Sequence, residues 1–561
     1  MPDLASCIAA GQGHRPADLV IRDVRLLDLV TGTCTRTRTD IAIVGDRIVG
    51  THASYRGVTE VDGRGRFAVP GFIDTHVHLE SSLVTPFEFD RLVLPHGVTT
   101  VFADPHEIAN VLGVAGIEWI LACAAQTVMD IRVNLSSCVP ATRFETSGAA
   151  LEIADLLPLG AHPQAHGLAE VMNYPGVLAG DAGLLAKLAA FQGRHIDGHA
   201  PLLGGMALNG YLAAGIRTDH EATSADEARE KLRQGMAVLI REGSASKDLA
   251  ALAPVLNAET SAFMALCTDD RSPLDIAEEG HLDAMIRRLI ATGCPVHHVY
   301  RAASLSGARI MGLRDRGMVA PGWRADIVLL DDLAACTVSD VVCAGRQVTP
   351  ALFAGRTVVS PVGTGSVRRG PVTEATFAMP ATADPVPVIG VSPGRLITSW
   401  ESAVLAAGAA DVTQDVLKAA VLERHGRNGN VGRGWVRGFG LSRGAIATSV
   451  GHDSHNIIVV GVSDVAMATA VNRVIALGGG LVAVDTDAVV ELALPVAGLM
   501  SDRRHEAVTQ SLAALTEATR RMGCTLPEPF LQMAFLALPV IPHLKLTDQG
   551  LFDVDRFALV P

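Results

Sequence analysis

The pattern of apolar and polar positions changes three times along the chain. Residues 17–68 carry short apolar runs at 18–24, 41–44 and 47–50, separated by Gly-containing turns such as Gly45-Asp46, and predict a small β unit. From residue 67 the period alternates between strand and helix. Apolar strands are predicted at 67–73, 97–103, 131–139, 166–172, 194–198, 215–218, 237–241 and 261–267. Helical periodicity falls at 108–128, 147–157, 182–191, 205–214, 224–234, 247–256, 281–291 and 296–311. Ser224 and Glu227 form Ser-x-x-Glu, a capping-box signature. Eight strands alternating with helices over roughly 230 residues match the size of a (β/α)8 barrel, and runs such as 263–266 suit parallel strands buried on both faces. Strand signals return at 327–330 and 340–348 and predict pairing with the strands before the barrel, as one composite β-sandwich. Prolines 371, 380, 385, 387 and 393 mark a linker, followed by strands at 445–449, 456–461 and 481–484 and helices at 465–476 and 506–521.

The expected fold class is therefore α/β: a TIM-like barrel with a flanking composite β-sandwich and an additional α+β C-terminal domain. The boundaries read as 1–68, 69–312, 313–380 and 381–561. With 49% hydrophobic and 19% charged residues the chain can build large cores and is poor in disorder signals. A net charge of −13 without a basic stripe argues against nucleic acid as a partner. Nine cysteines, an odd number without a Cys-x-x-Cys pair, fit buried thiols in a reducing compartment. Residues 1–12 lack signal-peptide character and no run of about 20 apolar residues occurs, so a cytoplasmic protein without a membrane partner is expected.

Candidate chemistry collects where the predicted strands end. Strand one ends in His76 and His78, whose alternation puts both imidazoles on one face. Strand two ends in Asp104, His106 and Glu107, strand four in Glu170, and strand five in His199. Strand six ends in Asp219-His220, strand seven in Glu242 and strand eight in Asp269-Asp270. Singly, each reads as a capping or solvated residue. Together, strand ends that converge on one barrel mouth bring four histidines and two carboxylates to one spot. Nitrogen and carboxylate donors without thiolate suit Mn(2+), Fe(2+) or Zn(2+), and five or six ligands are enough for two divalent metal ions sharing a carboxylate.

These features resemble the amidohydrolase superfamily. The blocks Ile73-Asp-Thr-His-Val-His-Leu-Glu-Ser-Ser82, Ala103-Asp-Pro-His-Glu-Ile-Ala-Asn-Val111, Cys267-Thr-Asp-Asp-Arg271 and Gly451-His-Asp-Ser-His-Asn456, with Leu94-Pro-His-Gly97, narrow the resemblance to the bacterial adenine deaminases. Strand four offers Glu170 in place of the carboxylated lysine of many superfamily members, which fits that group. The resemblance implies that His76, His78, Glu170 and Asp269 hold one metal, and that Glu170 bridges to a second bound by His199 and His220. It implies hydrolysis of adenine to hypoxanthine and ammonia in purine salvage. A metal-activated hydroxide would attack C6 and Asp269 would carry the proton. Glu80, His106 and Glu107 are candidates to protonate N1, and Asp104 and His106 could instead orient ligands. A homodimer is expected. The alternatives are an amidohydrolase acting on another aminopurine or a cyclic amide, or a metal-bearing regulatory protein without turnover. The His-x-Glu/Cys-x-x-Cys deaminase design is excluded, because no Cys-x-x-Cys exists. His452, Asp453 and His455 lie in a turn that reads as a capping-rich loop, a lid over the mouth or an accessory metal site. Gly478-Gly479-Gly480 reads as a turn between helix and strand.

Overall fold

The computed structural model describes residues 3–381, 384–405, 408–486 and 488–561. Met1 and Pro2, at the start of the stretch read for targeting signals, lie outside the described residues, and Leu4–Gly11 is a helix.

The apolar run 67–73 is not one strand. Phe67–Pro70 pairs antiparallel with Ile327–Leu330 (Val69 opposite Val328) and parallel with Ala17–Asp28 (Leu26 opposite Ala68). The chain segments on either side of the α/β unit thereby meet in one nine-stranded sheet. Gly71 makes the break: its N–H donates to Asp326 O (2.9 Å), and a Cβ there would lie 2.2 Å from Thr99 Oγ1. Only a glycine lets the chain pass this close from one sheet to the next.

The next strand, β1 (Phe72–Val77), opens the α/β unit. It is followed by β2 (Val98–Ala103), β3 (Asp130–Leu135), β4 (Ala165–Val171) and β5 (Ile196–Gly198) in a parallel five-stranded sheet of sequential order. A second parallel sheet holds β6 (Thr218–Asp219), β7 (Ala237–Arg241) and β8 (Met264–Cys267). Val77 of β1 bridges Asp269, just beyond β8, with Asp269 N–H donating to His76 O (3.0 Å) and His78 N–H to Asp269 O (3.2 Å). At the other junction Arg217 N–H reaches Ile196 O of β5 at 3.4 Å. Every residue of β2 is buried, as continuous apolar runs require when both faces are covered.

Several predicted elements come out shorter or divided. The helix expected over 108–128 is two, His106–Leu112 and Val114–Ala124, broken at Gly113 with φ 64°. The helix expected over 147–157 is confined to Ile153–Leu159, because the preceding loop is held elsewhere. The capping box is half formed. Ser224 Oγ accepts from Glu227 N–H (3.3 Å), but the Glu227 carboxylate takes the N–H groups of Thr223 and Leu202.

The C-terminal unit carries an eight-stranded sheet with the helices Asp464–Leu477 and His505–Arg521. Gly478, in the left-handed conformation, ends the first of these helices, and the strand Gly480–Val484 follows, so the triple glycine is a turn. The proline-rich stretch is only partly a linker. Val372 exchanges two hydrogen bonds with Asn472 (2.8 and 2.9 Å), and Phe377 is buried against the helix Asp464–Leu477. This unit packs on the carboxyl ends of the parallel strands, where Ser501 N–H donates to Leu83 O (2.8 Å). Among the described residues no helix is long and apolar enough to cross a membrane, and the nine cysteines are all free.

Candidate metal centre

His76 is on β1 and His78 directly follows it, and their Nε2 atoms stand 3.2 Å apart. The other ring nitrogen of each is occupied. His76 Nδ1 hydrogen-bonds the Asp197 carboxylate (2.8 Å), and His78 Nδ1 hydrogen-bonds the Asp104 carbonyl (3.0 Å). A carboxylate and a carbonyl only accept, so each ring carries a proton on Nδ1 and turns its Nε2 inward, where a metal ion would take the place of a second proton. Partners of this kind fix the tautomer of metal-binding histidines.

Glu170, at the end of β4, stands between two groups of imidazoles. Its Oε1 lies 3.3 Å from His78 Nε2 and 3.7 Å from His76 Nε2, and its Oε2 lies 2.6 Å from His199 Nδ1 and 3.5 Å from His220 Nε2. Asp269 completes the first group, with Oδ1 3.1 Å from His78 Nε2 and 3.6 Å from His76 Nε2. The donor atoms of His76, His78 and Asp269, and those of His76, Glu170 and His220, lie close enough to share one ion. The residues fit divalent cations: two nitrogen-rich groups face the two oxygens of one carboxylate, with no thiolate present.

Three further charged residues were not legible as site residues in the sequence. Arg241, the last residue of β7, donates to Asp269 Oδ2 (3.0 Å), to Asp248 (3.0 Å) and to both oxygens of Glu221. Glu221 Oε1 lies 3.5 Å from His220 Nε2 and 3.7 Å from His199 Nδ1. Asp197 lies within β5 and is fully buried. The available signal was an ionisable residue within an apolar strand (Asp197) or at its last position (Arg241).

Electrostatically the site calls for positive charge. Burial opposes charge on His76 and His78, yet Asp197, Asp269 and Glu170 around them hold both well above the ordinary histidine range. Burial alone would raise Glu170 and Asp269. His199 and His78 around Glu170, and His76, His78 and Arg241 around Asp269, hold both well below the usual carboxylate range. Divalent cations supply the same compensation as protons on the imidazoles, so metal binding would release those protons.

The other predicted residues divide between the mouth and its supports. His106 lines the cavity, 3.5 Å from Glu170 and 3.3 Å from Asp104 through Nδ1. Asp104 accepts the N–H groups of His106 and Glu170 (both 3.2 Å) and so holds the ends of β2 and β4 together. Glu80 accepts from Ile108 N–H (3.1 Å), and Ser81 Oγ links Glu107 (3.1 Å) to Asp270. Burial pushes Glu80 and Glu107 up, Glu107 further because Glu80 and Asp270 are beside it. Asp219 takes Lys231 Nζ (2.7 Å) and Ala200 N–H (2.9 Å), a structural role. Glu242 turns away from the mouth to Leu249 N–H (3.2 Å) and Arg288 (2.9 Å) and is no part of the centre.

The C-terminal unit supplies the roof. His452 Nδ1 lies 3.4 Å from Glu107 Oε1, and Asp453 Oδ1 lies 3.6 Å from His106 Nε2. His452 stacks on Phe535 with centroids 4.5 Å apart, whereas His455 lies behind it at 5.7 Å and does not line the cavity. Leu396, Phe535, Leu538, Val540 and Ile541 complete a cavity of about 30 Å³ over the cluster.

Residues 67–348 match the Amidohydrolase family, and residues 396–558 match the Adenine deaminase C-terminal domain. The chain is 61% identical over 564 residues to the adenine deaminase of Methylobacterium nodulans, covering 100% of this chain and 99% of that one. It is 61% identical over 559 residues to the adenine deaminase of Gluconobacter oxydans, covering 99% of each. Among solved structures, an adenosine deaminase from Xanthomonas campestris with bound zinc aligns at TM-score 0.45 and 15% identity, over 59% of this chain and 93% of the other. With half of its length in the amidohydrolase match and full-length relatives of this identity, the chain belongs to the adenine deaminase family of amidohydrolases.

Proposed function

We propose that the chain hydrolyses adenine to hypoxanthine and ammonia, as part of purine salvage, at two divalent cations in the mouth of a closed eight-stranded barrel. The observation that carries this reading is Glu170, whose two oxygens face His76 and His78 on one side and His199 and His220 on the other. The contacts of β1 with Asp269 and of Arg217 with β5 support barrel closure. The domain boundaries stay as read, at 1–68, 69–312, 313–380 and 381–561, and a homodimer is part of the same proposal.

In this reading His76, His78, Glu170 and Asp269 hold one ion, and His199, His220 and Glu170 hold the other, with Mn(2+) or Fe(2+) favoured and Zn(2+) compatible. Such ions supply a nucleophile at neutral pH by lowering the pKa of water from 15.7 to about 7. Water adds to C6 as N1 takes a proton from an acid, and the C6–N6 bond breaks as the amine takes one of the two water protons, while the other leaves the C6 oxygen and restores the acid. Asp269 accepts the proton of the attacking water and returns it to the departing amine. Arg241 keeps Asp269 weakly basic, so that the proton is readily released. Of the three acid candidates only His106 lines the cavity, so it is assigned N1. The apolar roof formed by Leu396, Phe535 and Leu538 suits an aromatic base.

The experiment is Asp269→Asn in Mn-loaded protein. Most of the bound metal should remain while kcat falls by about 10³, in the range of lost acid–base catalysis. Turnover near the wild-type rate would refute the assignment. Comparing His106→Asn with Glu107→Gln tests the N1 assignment: the larger loss of kcat is expected in His106→Asn.

A further inference from the structure

Lys545 is buried without a counter-charge. It lies on the strand Leu544–Thr547 and is fully buried. No carboxylate lies within ion-pair distance of it among the described residues. Its Nζ donates instead to two backbone carbonyls, Leu396 O (3.1 Å) and Phe535 O (3.2 Å). Burial pushes its amine down to about 7. A methionine would fill similar volume without the cost of desolvating an amine, so stability alone gives no reason for a lysine here.

The two carbonyls belong to residues whose side chains roof the substrate cavity. Leu396 is in one roof segment and Phe535 in another, separated by well over a hundred residues of sequence. Further bonds tie the same segments. Gln532 Nε2 donates to Arg395 O (2.7 Å), and Thr398 donates through N–H to Pro542 O (3.2 Å) and through Oγ1 to Leu544 O (2.9 Å). Lys545 is the side chain that grips both roof residues at once. The cavity beneath, about 30 Å³, has room for one or two waters, less than a purine needs. The roof therefore has to give way for the base to enter and then reseat against it.

We propose that Lys545 is a positioning residue for the substrate roof: its amine fixes the Leu396 and Phe535 carbonyls and thereby the height of the apolar roof above the metal centre. This rests on the reading of the cavity as the adenine site. The roof contacts the base equally before and during reaction, so its displacement weakens binding and leaves the chemical step largely intact.

The test is Lys545→Met in the full-length, Mn-loaded protein, measuring kcat, KM for adenine, bound metal and amide hydrogen exchange. We expect unchanged metal content, KM raised roughly tenfold and kcat within about threefold of wild type, the signature of lost uniform binding. Exchange should rise across 395–398 and 532–541. A folded, metal-loaded variant with KM within about twofold of wild type and unchanged exchange there would overturn the proposal. If Lys545→Met fails to fold, Lys545→Gln, which keeps a polar donor but loses the reach of the amine, decides: KM should rise about threefold, and an unchanged KM overturns the proposal. Absence of adenine turnover in the wild-type chain would refute the function instead, and the exchange comparison would still judge the roof.

Discussion

Arg241 holds two buried carboxylates at once, Glu221 beside the His199/His220 pair and Asp269 beside the His76/His78 pair. Removing it takes a shared cation from both in a low-dielectric site, and breaking a buried pair in this way costs about 3–5 kcal/mol. Arg241→Met should therefore lose that much stability in urea denaturation of the metal-free protein. A loss below about 1 kcal/mol would mean the carboxylates are compensated elsewhere. Sequence reasoning reached His76, His78, Glu170, His199, His220 and Asp269 because each ends an apolar strand. Arg241 and Asp197 escaped it, since what they do depends on strands far away in sequence: Arg241 reaches across to Asp269 and Asp197 to His76. Glu242 also ends a predicted strand but, one residue beyond Arg241, its side chain turns to the following helix.

Loop 142–149, between β3 and the helix Ile153–Leu159, joins the α/β unit to the C-terminal unit. Asp548 accepts both the N–H (2.8 Å) and the Oγ1 (2.6 Å) of Thr146, and Asn456 donates to Thr146 O (3.0 Å). Charge-assisted bonds of this kind are worth about 1.5–3 kcal/mol. Asp548→Ala should leave the fold intact and speed amide exchange across 142–149 by about tenfold or more, and unchanged exchange would show that other contacts hold the loop. The latch explains why the helical pattern of 147–157 does not begin until Ile153: long-range bonds to the C-terminal unit hold the first residues. The split of 67–73 has the same character. Every residue of that run is apolar or tolerated in a strand, so periodicity could not show that Gly71 passes the chain between two sheets. By contrast Ala237–Arg241 and Ile327–Leu330 begin and end where the pattern placed them, because the first is an apolar run closed by Arg241 and the second lies between Asp326 and Asp331.

At the scale of the molecule, the α/β unit supplies the cluster of histidines and carboxylates and the C-terminal unit covers it, a division the sequence suggested only through the Gly451–Asn456 turn. The roof carries its own pH dependence. Lys545 has its ordinary pKa of 10.5 when unfolded and is held at about 7 when folded. Between those values the unfolded chain binds the extra proton, so this residue makes stability rise as pH rises from about 7 towards 10.5. The stability of Lys545→Met relative to wild type should fall steadily in denaturation at pH 7, 8 and 9, and a constant difference would contradict a depressed amine. The most direct test of the whole account is a metal titration of metal-free protein with Mn(2+), followed at each point by adenine-to-hypoxanthine conversion. Activity that climbs to a plateau at two ions per chain is the predicted result. A plateau at one ion, or full turnover without metal, would contradict it.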